Sequence, residues 1–130
     1  VGQAVADVAA GKTAEALARL TNESRTLLSD QERAAVLDFA ASLAARNGLI
    51  ADAERIRRSL VEEYPRSPEA PGALLALARS LMERGGSDDE VRRLLERLIL
   101  EYPRSALVPQ ARRELERLRG AVSETPQNVQ

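Results

Sequence analysis

The pentapeptide "EYPRS" occurs twice in the chain, at residues 63–67 and again at residues 101–105. The sequences around the two copies also align at the same offset of 38 residues. A weaker third copy lies upstream, where Phe39 aligns with Leu77. Such a repeat indicates an array of similar structural units. The aligned pairs are Arg55 and Arg93, Leu60 and Leu98, Pro71 and Pro109, Ala73 and Ala111, and Arg79 and Arg117.

Each repeat has the pattern of two helices. Ser29 and Glu32 have the spacing of a capping box, which satisfies free amides at the start of a helix. Asn47-Gly48 marks the end of that helix, because both residue types tolerate the left-handed backbone of a helix C-terminus. A second helix is predicted over residues 50–63, and Pro65 ends it because proline disfavours helical geometry at the residue before it.

The same signals recur downstream. Ser67 is predicted to cap the third helix, with Pro68 at its first position. That helix runs to about residue 84 and stops at Gly85-Gly86, and a second Ser-Glu capping pair begins the fourth helix at Ser87. A final helix over residues 106–119 is predicted to stop at Gly120, and residues 120–130 are predicted to form a flexible tail.

Composition indicates one soluble all-α domain without catalytic chemistry. The 130 residues suffice for one core, and only 2% of them are aromatic, so alanine and leucine must fill it. The absence of His and Cys removes imidazole, thiol and Cys/His zinc chemistry, and we expect no cofactor, no metal and no enzyme activity. A net charge of −1 argues against nucleic acid as a partner, and no apolar run is long enough to span a membrane.

These repeats resemble the tetratricopeptide repeat (TPR) family. Its pattern has a glycine between helices A and B, a small residue five positions later, and a proline after helix B. The resemblance implies an all-α, TPR-like right-handed α-solenoid of about three helix pairs plus a closing helix. The implied domain covers residues 1–119, with repeats at 1–28, 29–66 and 67–104 and a closing helix at 105–119. The residues that fit the pattern are Gly11 and Ala16, Gly48 and Ala53, Gly86 and Val91, and Pro65 and Pro103.

The "YP-x-S" ending and the 38-residue period resemble a subgroup of bacterial cell-envelope repeat proteins, the Tol-Pal periplasmic coordinator and the outer-membrane assembly lipoproteins. We expect Tyr64 and Tyr102 to pack between repeats. The resemblance implies a scaffold that helps to assemble an envelope complex, located in the periplasm. A permanent structural subunit is the alternative function, and the cytoplasm is the alternative location. The chain is also expected to be a processed or excised piece of a longer product.

The family's ligand-facing positions on helix A carry over to two sets of residues here. The resemblance implies that these residues face a protein or peptide partner. Arg46 and Arg84 would occupy equivalent places and hold carboxylates or a chain terminus of the partner. A groove without ligand and an oligomeric assembly are the alternatives. The first set is Asp38, Ser42 and Arg46, and the second is Ala76, Ser80 and Arg84.

The stretch "ADVAAGKT" at residues 6–13 matches the loose form of a phosphate-binding P-loop. A working P-loop needs a buried strand before it, and the preceding residues are rich in alanine. Gly11 instead precedes Ala16 by five residues, as the other turn glycines precede their small residues. We therefore predict that Gly11 forms the turn of a first repeat. Nucleotide binding at Gly11-Lys12-Thr13 is kept as the alternative.

Overall fold

The computed structural model describes the backbone of residues 29–129 and the side chains of residues 29–120. Every regular element in that part of the chain is a helix, which confirms the prediction of an all-α fold. The predicted first repeat, with Gly11, Lys12, Thr13 and Ala16, lies outside the described residues. The helices are α1 (Asp30–Arg46), α2 (Ile50–Glu63), α3 (Ala70–Glu83), α4 (Asp88–Glu101) and α5 (Val108–Val129).

The chain divides into two compact units, Val1–Ala73 and Leu74–Gln130. We call them the N-terminal unit and the C-terminal unit. In the N-terminal unit α1 packs against α2, and in the C-terminal unit α4 packs against α5.

The start of α1 is fixed by the predicted capping box. Glu32 N donates to Ser29 Oγ at 3.3 Å, and Ser29 N donates in return to Glu32 Oε1 at 3.1 Å. The helix ends at Asn47, whose side-chain amide donates to the Leu43 carbonyl, and Gly48 follows with a φ of +77°. Both ends of α1 thus form as the sequence indicates.

The helices before the two EYPRS copies end in the same way. Tyr64 is the C-cap of α2 with φ −130° and ψ 58°, and Tyr102 is the C-cap of α4 with φ −127° and ψ 55°. Each tyrosine amide still donates to the carbonyl four residues earlier, at Leu60 and Leu98 respectively. The repeated prolines therefore follow a repeated helix end.

The prediction that Ser67 caps α3 is wrong. The Ser67 hydroxyl donates to the Tyr64 carbonyl at 2.8 Å, so it closes a turn behind α2 instead of accepting an amide at the start of α3. The helix begins three residues later, at Ala70. Pro71 then falls in its first turn, where the missing amide hydrogen has no helical partner to lose.

The turn between α3 and α4 also differs from the prediction. Gly86 was expected to be the turn residue, but the left-handed φ of +72° belongs to Gly85. Gly86 instead lies close to Leu81, whose carbonyl oxygen would be 3.1 Å from a Cβ at position 86. Gly85 is therefore the structural equivalent of Gly48, and Gly86 is an additional residue that the turn after α1 lacks.

The extra residue changes the alignment of the first helices of the two pairs. Gly48 and Gly85 lie 37 residues apart, whereas the second helices keep the offset of 38. The predicted match of Phe39 with Leu77 fails, because Phe39 is 51% exposed and Leu77 is 1% exposed. An offset of 37 aligns four pairs of buried residues: Leu37 with Leu74, Ala40 with Leu77, Ala41 with Ala78, and Ala44 with Leu81.

The last helix is longer than predicted. It continues through Gly120 to Val129, so the predicted helix end at Gly120 is wrong, and residues 120–129 of the predicted tail belong to this helix. Gly120 lacks the positive φ that a glycine adopts when it ends a helix, and a Cβ there would meet nothing within 4 Å.

Candidate partner-binding groove

A groove of about 680 Å³ lies between α3 and α5 in the C-terminal unit. Polar side chains provide most of its surface, and three of them are arginines. We call it the arginine groove. Its lining residues are Arg79, Met82, Glu83, Gln110, Arg113, Glu114 and Arg117.

A buried carboxylate organises this groove. The side chain of Glu114 is 8% exposed, and each of its oxygens meets a different arginine. Arg79 Nε lies 3.5 Å from Oε2, and Arg117 Nη1 lies 3.1 Å from Oε1. Arg79 Nη2 also donates to Gln110 Oε1 at 3.3 Å. Glu114 therefore brings two guanidinium groups, from two helices, together at one place.

The arginine groove has a positive balance. Three arginines line it against two glutamates, and Arg113 is exposed at its surface. A guanidinium carries five N–H donors in a rigid plane, so an arginine that binds Glu114 through one or two of them still offers others to a ligand. The groove is therefore suited to carboxylates of a binding partner.

The predicted ligand-facing residues of α3, Ala76, Ser80 and Arg84, are not among the residues that line the arginine groove. With the offset of 37, Ser42 and Arg46 on α1 correspond to Arg79 and Glu83, which line the groove. The predicted counterparts, Ser80 and Arg84, each follow one residue later. The extra residue in the turn accounts for this shift, because the EYPRS copies give an offset of 38 residues whereas the first helices are offset by 37.

In the N-terminal unit, Asp38 belongs to a charged cluster. Burial lowers the pKa of the half-buried Arg57, while the charges of Asp38 and of the buried Glu54 act in the opposite direction. Asp38 therefore interacts with a neighbouring helix of its own unit. Ser42 is half-buried, and Arg46 is exposed as the last residue of α1.

The functional residue that the sequence analysis did not select is Glu114, which is equivalent to Ala76. Ala76 is half-buried on α3, and its equivalent at the offset of 38 on α5 is Glu114. Extending the predicted set by one more helix would have selected this carboxylate. The pairing of Arg79 with Arg117 across the repeat was a second signal, since both arginines bind Glu114.

A second cavity, of about 550 Å³, lies in the N-terminal unit between the first turn of α1 and the loop after α2. The first EYPRS copy forms most of its wall, and we call it the Tyr64 cavity. Its lining residues are Asp30, Gln31, Glu63, Tyr64, Pro65, Arg66, Ser67 and Pro68.

Other kinds of site are not evident in the described part of the chain. No group of three or more acidic residues there is arranged to hold a metal ion. None of the helices described here combines the length and the apolar composition that crossing a bilayer requires.

Comparison with known proteins supports the repeat assignment. The family model of the tetratricopeptide repeat matches residues 72–105, which contain most of α3, all of α4 and the second EYPRS copy. This part of the chain is similar to a TPR repeat. Repeats of this kind generally mediate protein–protein interaction and are typically not catalytic. No curated protein matches the chain closely enough to serve as a relative.

Proposed function

We propose that this protein is a non-catalytic interaction module and that its arginine groove binds an acidic segment of a protein partner. The observation that carries the proposal is the pair of guanidinium groups held by the buried Glu114. Because Glu114 already draws these two groups together, less arginine side-chain entropy is lost when a partner carboxylate binds them. The TPR-like repeat that contains α3 supports an interaction function.

The test compares two single charge reversals in the 130-residue chain. Arg113→Glu reverses an exposed charge in the arginine groove, and Arg93→Glu reverses an exposed charge on α4, outside its lining. The probe is a fluorescent peptide that alternates glutamate and leucine, and binding is followed by anisotropy. We expect Arg113→Glu to weaken binding about tenfold, since charge pairs across interfaces contribute strongly. Arg93→Glu should bind as the wild type does.

Two results would contradict this proposal. Equal losses in both variants would show that net charge alone attracts the peptide. Binding that does not weaken with added salt would show that carboxylate–arginine pairs do not hold the peptide, because exposed ion pairs are screened. Circular dichroism of each variant verifies that the helices are intact.

We further propose that the partner belongs to a bacterial cell-envelope complex that this protein helps to assemble, and that the protein is periplasmic. The support is the "YP-x-S" ending and the 38-residue period, which resemble those of envelope repeat proteins. Fractionation of the source cells, followed by immunoblotting, tests the location. Recovery with the cytoplasmic fraction would overturn this part of the proposal without affecting the groove.

A further inference from the structure

We propose that Glu114 is a positioning residue of the arginine groove, and that it leaves one edge of the Arg117 guanidinium group for a carboxylate of the partner. This inference rests on the proposed function of the groove and names the atoms that carry it. Its consequence runs against the charge of Glu114: a negative side chain favours the binding of another negative group.

The net charge of the groove alone predicts the opposite. Glu83 and Glu114 are the two carboxylates among its lining residues. Each of them repels an acidic partner, because like charges across an interface disfavour binding. If charge alone governed the groove, replacing either glutamate with a neutral residue would tighten binding.

The two glutamates differ in their surroundings. Glu83 is exposed at the end of α3, and the part of the chain that the structure describes shows no ion pair or hydrogen bond of its side chain. The side chain of Glu114 is 8% exposed and contacts Arg79 and Arg117, which are 48% and 74% exposed. The carboxylate of Glu114 therefore lies beneath the two guanidinium groups, and a partner meets the arginines first.

Contacts with α5 orient the guanidinium plane of Arg79. Its Nε lies 3.5 Å from Glu114 Oε2, and its Nη2 donates to Gln110 Oε1 at 3.3 Å. Nε and Nη2 form one edge of the planar guanidinium group, so this edge faces α5. The remaining nitrogen, Nη1, has no partner among the residues that the structure describes and is left for a ligand.

Arg117 uses the other end of its guanidinium group. Its Nη1 lies 3.1 Å from Glu114 Oε1, and within residues 29–120 no other partner of this side chain is found. The edge formed by Nε and Nη2 is therefore left for a ligand. The two parallel N–H groups along such an edge match the two oxygens of a carboxylate, which accepts both hydrogen bonds at once.

Glu114 brings these donors together because each of its two oxygens contacts one arginine. Without this carboxylate the two guanidinium groups repel each other, and their long side chains regain rotamers that a ligand must then restrict. The guanidinium groups also separate Glu114 from the partner, so the attractions act over shorter distances than the repulsion. We therefore expect positioning to outweigh the like charge.

The first test compares two substitutions that remove the same charge from the groove. Glu114→Gln keeps the shape of the side chain but only one acceptor oxygen, whereas Glu83→Gln removes a carboxylate that contacts no arginine. The probe is again the fluorescent peptide of alternating glutamate and leucine, followed by anisotropy. We expect Glu114→Gln to weaken binding about threefold and Glu83→Gln to tighten it about twofold.

The second test leaves every charge in place. Arg117→Lys keeps the positive charge but has no planar edge, and we expect it to weaken binding about threefold. Arg93→Lys, on α4 and outside the groove, is the matched control and should bind as the wild type does. Circular dichroism verifies that the helices are intact in each variant.

A spectroscopic test follows the arginines in the absence of peptide. In proton–nitrogen NMR spectra of the side chains, an oriented guanidinium group gives its own Nε–H signal. We expect Arg79 to give such a signal in the wild type and in Glu83→Gln, and to lose it in Glu114→Gln. This signal reports the orientation of Arg79 and not the stability of the fold.

Unchanged or tighter binding in Glu114→Gln, unchanged binding in Arg117→Lys, or an Arg79 signal that survives in Glu114→Gln would overturn the inference. If Arg113→Glu still weakened binding in that case, the arginine groove would remain the binding site without a positioning role for Glu114. A wild type that does not bind the peptide would overturn both the proposed function and this inference.

Discussion

The two EYPRS copies have the same backbone at their tyrosines and different hydrogen bonds at their serines. Ser67 Oγ donates backward to the Tyr64 carbonyl, whereas Ser105 Oγ accepts the amide of Leu107 at 3.1 Å. Ser67 thus closes a turn behind one helix, and Ser105 satisfies an amide ahead of the next. The repeated sequence therefore determines where a helix ends. The residues after each copy determine which hydrogen bonds its serine makes.

The first helices of the two pairs differ more strongly, in the sizes of their buried side chains. The buried face of α1 consists of four alanines and one leucine. The corresponding positions of α3 include three leucines and one alanine that are buried, Leu74, Leu77, Leu81 and Ala78. At these four positions the repeat thus preserves burial but not the volume of the buried side chains. Each unit must pack its own set of side chains, since protein interiors leave little empty space.

The largest effect is expected from exchanging side-chain sizes at equivalent positions. Leu77 is 1% exposed, and its equivalent Ala40 is fully buried. Leu77→Ala should lower the free energy of unfolding by about 3 kcal/mol because it leaves a cavity. Ala40→Leu should lower it by about 1–3 kcal/mol because the site has no room for three more carbons. Urea unfolding measures both values.

A stabilising effect of Ala40→Leu would contradict this prediction, because it would show that the alanine-lined face of α1 leaves unfilled space. Phe39→Ala is the matched control on the same helix. Since Phe39 is 51% exposed, its truncation should cost clearly less than that of Leu77.

The two turns provide the second test, through their left-handed glycines. Gly48 and Gly85 have φ values of +77° and +72°, where a side chain is strained. We expect Gly48→Ala and Gly85→Ala to lower the free energy of unfolding by about 1 kcal/mol each. Gly120→Ala should instead raise it by about 0.5–1 kcal/mol, because alanine is the better helix former where φ is not positive.

These three variants also test the alignment of the repeats. A neutral Gly85→Ala would contradict the equivalence of Gly85 with Gly48. A destabilising Gly120→Ala would indicate that the last helix ends at Gly120, as the sequence had suggested. Thermal unfolding of the three variants, monitored by circular dichroism, separates these outcomes.

The sequence was sufficient for the ends of α1 and α2, since caps and prolines act locally, but not for the start of α3 or the end of α5. Ser29, Gly48 and Pro65 predicted the limits of α1 and α2 correctly. The sequence was not sufficient for the alignment of α3 with α1. The identical EYPRS copies set an offset of 38 residues, and this offset does not account for the extra residue Gly86. The arginine groove was missed for a different reason. Glu114 binds arginines from two helices, and the helical pattern within one repeat contains no signal for its contact with Arg79. Only the alignment between repeats, extended to α5, selects Glu114.

The smallest effect is expected at the start of α1, where the capping box involves a charge. Hydrogen bonds from Ser29 lower the pKa of Glu32 in the folded chain. The unfolded state therefore binds more protons in acid, and stability must fall as the pH drops through the folded pKa. Glu32→Gln keeps the shape of the cap but cannot titrate. We expect its stability to change less than that of the wild type below about pH 4.

Urea unfolding of both proteins between neutral and acidic pH measures this difference. Glu116→Gln provides the control, because Glu116 is exposed on α5, far from the start of that helix. If Glu116→Gln reduces the acid-induced loss of stability as much as Glu32→Gln does, that loss arises from the overall charge of the chain and not from the cap. If neither variant reduces it, Ser29 acts through its hydroxyl alone.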